Sequence, residues 1–213
     1  MATGDFQDGD AVPELPEELD PKIIAAYKKL GVVLKTYRSG KLPKTFKVIP
    51  MTSNWEELLF LTTPEKWSRH AVYEATKIFA SNLNSRMAQR FYSLILLPAV
   101  RTNIATFKKL AVQLYMAIKK ALFKTSAFFK GFLLPLADDA TAREAIIVGS
   151  ILAKMSINNL DAAAALMKLL DMPYRLGTGY FIKTMLAKRY ALPTQVIKAL
   201  VRFFVYFESD MID

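Results

Sequence analysis

A short pattern returns down this chain: Leu96-Leu97-Pro98 is echoed by Leu133-Leu134-Pro135, 37 residues on, and Ala71-Val72 by Ala111-Val112, 40 residues on. Periods near 40 residues mark stacked helical hairpins, because one hairpin cannot bury its own apolar face and leans on its neighbours. From Trp55 onward the segments agree with that: each is ten to eighteen residues of helical spacing, punctuated by proline, glycine or polar clusters, without strand alternation. They group into four expected helix pairs, at 68–103, 108–137, 141–171 and 177–207. The expected fold is all-α, a short α-solenoid of stacked helical hairpins forming a HEAT- or TPR-like superhelix, although the tetratricopeptide signature itself is missing.

Three regions are expected. Residues 1–19, with Gly4, Gly9, Pro13 and Pro16 among acids, form a flexible acidic lead-in. Residues 20–50 form a basic helix and an extended arm, and 51–213 a helical-repeat domain truncated at its C-terminal end. Asp20 is placed to cap the first helix with Pro21 at its first position, and Ile23, Ile24, Tyr27, Leu30, Leu34 and Tyr37 recur at helical spacing up to an end near Ser39-Gly40. Gly31 inside that helix costs about 1 kcal/mol against alanine, so the helix needs a docking surface. The two prolines of Lys41 to Pro50 suggest the extended arm. Leu110 to Ile118 and Ala145 to Ala153 are apolar nearly all round, as in helices sandwiched between neighbours. Gly149 and Ala162 to Ala165 suit close helix approach, Met167, Met172 and Met185 core filling, and Trp55, Trp67, Phe128 and Phe129 core or inter-repeat anchoring.

The residues needed for catalysis do not assemble. Cysteine is absent, which removes disulfides, thiolate-bound metal and cysteine nucleophiles. His70 is the single histidine and has no acidic cluster beside it in sequence, so no metal is expected and the residue suits a surface or capping place. Ser39-Gly40-Lys41 resembles the end of a phosphate-binding loop, but Lys35 stands where the first glycine belongs and Leu42 where Ser or Thr would bind magnesium. Glu56-Glu57 and Asp138-Asp139 read as helix-capping acids, and Gly177-Thr178-Gly179, with no strand before it, as a turn between helices. No enzyme, cofactor or small-molecule substrate is expected. A membrane span is not expected either, since the longest stretch without charge, Phe91 to Val100, has ten residues against the roughly 20 that a helix needs to cross a bilayer.

Charge carries more information once it is divided along the chain. Residues 1–20 hold seven acids and no base, residues 208–213 hold three acids, and the stretch between carries 29 bases against nine acids, a net charge of +20. Such an excess suits a polyanion, either a nucleic acid or an anionic membrane surface. Lys22, Lys28, Lys29, Lys35, Arg38, Lys41, Lys44 and Lys47 fall within 26 residues without an acid, with Tyr27, Tyr37 and Phe46 among them. That mixture supplies phosphate neutralisation and stacking surfaces for unpaired bases; a merely solvated face is the plainer reading. Lys108, Lys109, Lys119, Lys120, Lys124 and Lys130 form a second group that can line a ridge along one repeat. These fourteen are the candidate RNA-binding residues.

Several runs, taken in order, resemble one family. Leu19-Asp20-Pro21-Lys22, Tyr37-Arg38-Ser39-Gly40-Lys41-Leu42-Pro43-Lys44, Asn54-Trp55-Glu56-Glu57-Leu58-Leu59, Ala127-Phe128-Phe129-Lys130-Gly131, Arg143-Glu144-Ala145-Ile146-Ile147 and Lys188-Arg189-Tyr190-Ala191-Leu192-Pro193 are similar to signature stretches of the bystins. The resemblance implies a ribosome biogenesis factor that binds rRNA and proteins of the small-subunit precursor. It implies support for small-subunit rRNA processing and pre-40S maturation, with snoRNA binding among the associated properties. It also implies partners near the head and beak of that precursor, and residence in nucleolus and nucleus with shuttling to the cytoplasm. Bystins are expected to carry a long charged region before, and further helices after, the part seen here. The rival reading is a protein-only helical-repeat scaffold that grips acidic or amphipathic peptides.

Overall fold

The structure is a computed structural model and describes residues 20–210. The expected acidic lead-in lies outside those residues. The first helix, α1 (Pro21–Thr36), starts as its sequence requires: Lys22 N–H donates to Asp20 Oδ1 at 2.8 Å and proline follows the cap, where no backbone donor is missed. It ends at Thr36, short of the expected Ser39-Gly40, and Gly40 takes a left-handed φ of 98° in the turn that follows. Gly31 is where α1 docks, since a Cβ built there would stand 2.5 Å from the Thr62 carbonyl oxygen.

The extended arm is not formed. Residues 44–51 coil into a short helix, α2 (Lys44–Val48), and a tight turn, Ile49–Met51. Phe46 and Ile49 are fully buried, and the Phe46 ring lies 5.5 Å from that of Trp67 and 5.8 Å from that of Phe79. Burial of two large apolar side chains, together worth several kcal/mol, outweighs the extended bias of Pro43 and Pro50. Phe46 is thus core and no stacking surface. Next comes α3 (Trp55–Leu61), with Glu56 and Glu57 in its first turn, where the helix dipole favours acids.

Four helix pairs then follow. The first is α4 (Arg69–Asn82) with α5 (Ser85–Phe91) and α6 (Leu97–Phe107); the second is α7 (Val112–Ala121) with α8 (Thr125–Phe128) and α9 (Leu134–Asp139). The third is α10 (Ala142–Lys154) with α11 (Asn159–Asp171), and the fourth α12 (Leu176–Ala187) with α13 (Thr194–Asp210). The described residues form no strand. The Leu-Leu-Pro echo has a structural meaning. Both copies end a π-turn, Tyr92–Leu96 and Phe129–Leu133, in which Leu97 N–H bonds to the Tyr92 carbonyl and Leu134 N–H to that of Phe129. Proline lacks an amide hydrogen and its ring crowds the carbonyl four residues back, so a widened turn ahead of Pro98 and Pro135 lets one helix continue through each proline. The two π-turns pack on each other, and a Cβ on Gly131 would strike the Gln89 backbone of α5.

Stacking joins α4 to α7 and α5 to α8 between the first two pairs, and α10 to α12 between the last two. At the middle junction α10 packs on α6 and α11 on α8 and α9, so the register of stacking shifts there. Trp55, Trp67, Phe128, Phe129 and Met185 are buried, and Met167 and Met172 pack against the core. Gly149 receives the Tyr180 ring, as its lack of bulk suggested. Two helices expected to be sandwiched have open faces: Val112 and Met116 of α7 are exposed, as is Ile146 of α10. Both helices are apolar beyond the strip their neighbours cover. Gly177 and Gly179 lie in the first turn of α12, not between helices; the Ala137 carbonyl would stand 2.6 Å from a Cβ on Gly177. Asp138 and Asp139 close α9 and do not cap a helix start, an unfavourable place for acids. Arg101 offsets it with two bonds to Asp139 at 2.8 and 2.9 Å, and Arg175 lies 3.9 Å from Asp138.

Candidate nucleic-acid interface

Twelve of the fourteen candidate cations are exposed, and Lys120 and Lys124 are half-buried. None is ion-paired to a carboxylate among the described residues. Their distribution is uneven, and the fold decides it.

A trough runs along α4. His70, Tyr73, Glu74, Lys77 and Ser81 recur at helical spacing and make its floor; α7 supplies one wall with Val112, Gln113, Met116 and Lys120, and the turn between α1 and α2 the other with Tyr37 to Leu42, joined by Lys47 of α2. The trough has two compartments of about 370 and 530 Å³ that share Gly40 and Glu74. The larger is basic, with Lys41, Lys47, Lys77 and Lys120 on its walls. The smaller holds Tyr37, Arg38, His70, Tyr73, Gln113 and Met116. Five cations thus line the trough against one carboxylate, Glu74, which pairs with Lys77 at 2.7 Å. That bond holds the Lys77 ammonium above its ordinary pKa, and its Nζ also sits 4.7 Å from the centre of the Tyr73 ring.

Local bonds set these walls. Ser68 caps α4 by accepting from Ala71 N–H, while its own hydroxyl donates to the Tyr37 carbonyl and its amide to that of Leu34, tying the end of α1 to the start of α4. Tyr37 donates through its hydroxyl to the Gly40 carbonyl at 2.6 Å, which folds the turn back on itself. The left-handed φ of Gly40 makes that closure possible. Gln113 Nε2 lies 3.1 Å from His70 Nε2, an amide donating to an imidazole across the seam of α4 and α7. His70 stands in the first turn of α4, and no group of three His, Cys, Asp or Glu able to hold a metal occurs among the described residues.

The remaining candidates divide. Lys28 and Lys35 line a separate groove with Lys66, beside Gly31 and Thr63. Lys22, Lys29 and Lys44 are exposed outside both. The second group does not form one ridge: Lys108 and Lys109 precede α7 whereas Lys119 and Lys120 end it, about 15 Å away along a ten-residue helix. Lys130 projects from the second π-turn. Lys124 has structural work, donating to the Leu83 carbonyl at the end of α4, and the Lys120 ammonium lies 4.4 Å from the Phe123 ring centre. Sequence reasoning passed over Lys77, Tyr73, Gln113 and Met116. The i, i+4 run of Tyr73 and Lys77 was visible, but nothing local said that this face of α4 would stay uncovered.

A second, apolar groove of about 300 Å³ lies between α3, α4 and α6, with Phe60, Leu94, Pro98 and Phe107 on it and the Arg69 guanidinium 5.2 Å from the centre of the Phe107 ring. No helix among the described residues is long and apolar enough to cross a membrane.

The family profile of bystin matches residues 3–213. Bystin of Monosiga brevicollis is 54% identical over 197 residues, which cover 92% of this chain and 48% of the relative. Bystin of Homo sapiens is 52% identical over 195 residues, 91% of this chain and 45% of the relative, and bystin of Drosophila melanogaster 50% identical over 196 residues, 91% and 45%. The chain therefore spans about half the length of the curated relatives it matches. With a match over nearly its whole length and about half of its residues shared with named members, this chain belongs to the bystin family.

Proposed function

We propose that this chain is the RNA-contacting helical body of a small-subunit ribosome assembly factor, acting by binding and not by catalysis. The observation that carries the reading is the trough of five cations and one carboxylate, held on three packed elements. Cations carried on packed backbone elements need only their side chains ordered to meet phosphates, so less of the electrostatic gain is spent on entropy. In this reading the chain joins the small-subunit precursor, with pre-rRNA, ribosomal proteins and other assembly factors near the head and beak as partners. It supports rRNA processing and pre-40S maturation, and it moves from nucleolus and nucleus to the cytoplasm with the particle. Family membership supports that role, and the +20 charge of the central stretch fits it.

One observation favours a second reading. The groove of Phe60, Leu94, Pro98 and Phe107 suits the apolar face of a protein helix, as a protein-only scaffold would use. Salt separates the two. Titrating the purified chain with small-subunit rRNA fragments between roughly 50 and 200 mM salt should cost about 10³–10⁵ in affinity if 6–10 phosphates are contacted. Negligible RNA binding at the lowest salt overturns the RNA reading and leaves the scaffold.

A further inference from the structure

We propose that the trough is a subsite for one unpaired RNA nucleotide, with its base in the Tyr37–Tyr73 compartment and the flanking phosphates in the lysine compartment. The inference rests on the RNA reading above and narrows it from a charged face to a site of defined chemistry.

The two compartments differ as the two ends of a nucleotide do. The smaller has aromatic and thioether walls, Tyr37, Tyr73 and Met116, which suit the flat, polarisable face of a base. Its polar groups, the Gln113 amide and the His70 imidazole, are planar hydrogen-bonding groups of the kind that meet the edge of a base. The larger compartment offers Lys41, Lys47, Lys77 and Lys120 against the one carboxylate of Glu74, and no aromatic ring, which suits phosphate better than a base. Arg38 stands on the rim of the smaller one. A duplex buries its base faces in its own stack and cannot use the first compartment, whereas a single strand can use both. An acidic peptide would satisfy the lysines but would leave the amide and imidazole edge facing a chain with no ring to present.

The walls are also built before any ligand arrives. Tyr37 is fixed by its bond to the Gly40 carbonyl, and Tyr73 by packing against the core and by Lys77. A stacking platform ordered in advance loses little on binding.

The test uses the whole 213-residue chain with a labelled short oligouridine and a labelled blunt-ended RNA duplex of matched length, at low salt. Tyr73→Leu, which keeps apolar packing but removes the ring, should weaken the single strand roughly tenfold or more, as loss of one stacked base does, and leave the duplex unchanged. Tyr73→Phe should retain wild-type affinity, and Gln113→Ala should weaken the single strand and not the duplex. Substituting 4-thiouridine and irradiating should join RNA to peptides bearing Tyr37, Tyr73 or Met116. Equal loss on both RNAs, no loss on either, or crosslinks confined to other segments would overturn the subsite. The wider reading would survive that result if Lys41→Gln with Lys47→Gln still weakened both RNAs. Absence of binding to either RNA by the unsubstituted chain removes both. Should Tyr73→Leu fail to fold, Gln113→Ala and the crosslink positions decide the matter.

Discussion

Lys188 Nζ lies 2.6 Å from the Met155 carbonyl oxygen and 2.9 Å from that of Leu152, so a side chain at the end of α12 satisfies the open end of α10. Lys124, in the turn before α8, does the same for the end of α4 through the Leu83 carbonyl. In both cases a cation from the next pair meets the negative end of the helix dipole and donates to carbonyls of the last turn and the cap. Some lysines of this chain therefore join successive helices, and charge alone does not distinguish them from those left open to a ligand.

Lys188→Met keeps most of the side-chain length but removes the donor. The unpaired carbonyls should cost about 1–3 kcal/mol, which for a chain of this size lowers the melting temperature by a few degrees for each kcal/mol. Calorimetry measures this, and RNA affinity should not change. A stable variant with weakened RNA binding would move Lys188 from joint to ligand contact.

Gly31→Ala sets two effects against each other. Propensity favours alanine inside a helix by about 1 kcal/mol, but the new methyl would stand 2.5 Å from the Thr62 carbonyl, and backbone on both sides leaves little to yield. Overpacking of this kind costs about 1–3 kcal/mol, so the net effect should be destabilising. Thermal unfolding of the variant checks the sign; a gain in stability would mean that α1 can slide away from Thr62.

Much of the fold is legible in the sequence because it depends on local rules. The four pairs follow from helical periodicity and its breakers, and Asp20-Pro21 announces the start of α1. Thr141 and Glu144 form a capping box at the start of α10, with Thr141 N–H donating to Glu144 Oε2 at 2.8 Å, a local signal that sequence reasoning passed over. Residues 41–50 are another matter: Phe46 and Ile49 find their partners on α4 and at Trp67, a tertiary contact that overrides the extended bias of two prolines. The candidate site was half legible. The cations on α1 and α2 stand out in composition, but Lys41 and Lys47 meet Lys77 and Lys120 because the α1–α2 turn folds across α4, and that closure depends on the Tyr37–Gly40 and Ser68–Tyr37 bonds. No spacing rule joins residues 41, 77 and 120.

Tyr92 lies in the first π-turn with its ring fully buried, and its hydroxyl has no partner among the described residues. Burial raises its pKa, so the group stays neutral at any ordinary pH. A buried hydroxyl without a bond costs about 1–3 kcal/mol of solvation, and phenylalanine has nearly the same shape. Tyr92→Phe should therefore raise the melting temperature or leave it unchanged. A clear fall would reveal a hydrogen bond to a buried water.

The pair of Arg90 and Glu56 ties α5 to α3 through two bonds of 2.8 and 2.7 Å, and it makes part of the stability depend on pH. Hydrogen bonding from Arg90 holds the Glu56 carboxyl below its ordinary value of 4.5. A carboxyl depressed in the folded state stabilises the protein above its unfolded pKa, and the contribution is lost as pH falls through the folded one. The contribution is thus complete at neutral pH, begins to fade near 4.5 and disappears in stronger acid. Because the pair is partly exposed, the effect is modest and shrinks further with added salt. Melting the chain and Glu56→Gln side by side from neutral pH downward should give two curves that start apart and converge below pH 4.5. A separation that stays constant through that range would show that Glu56 holds α3 by packing and not by charge.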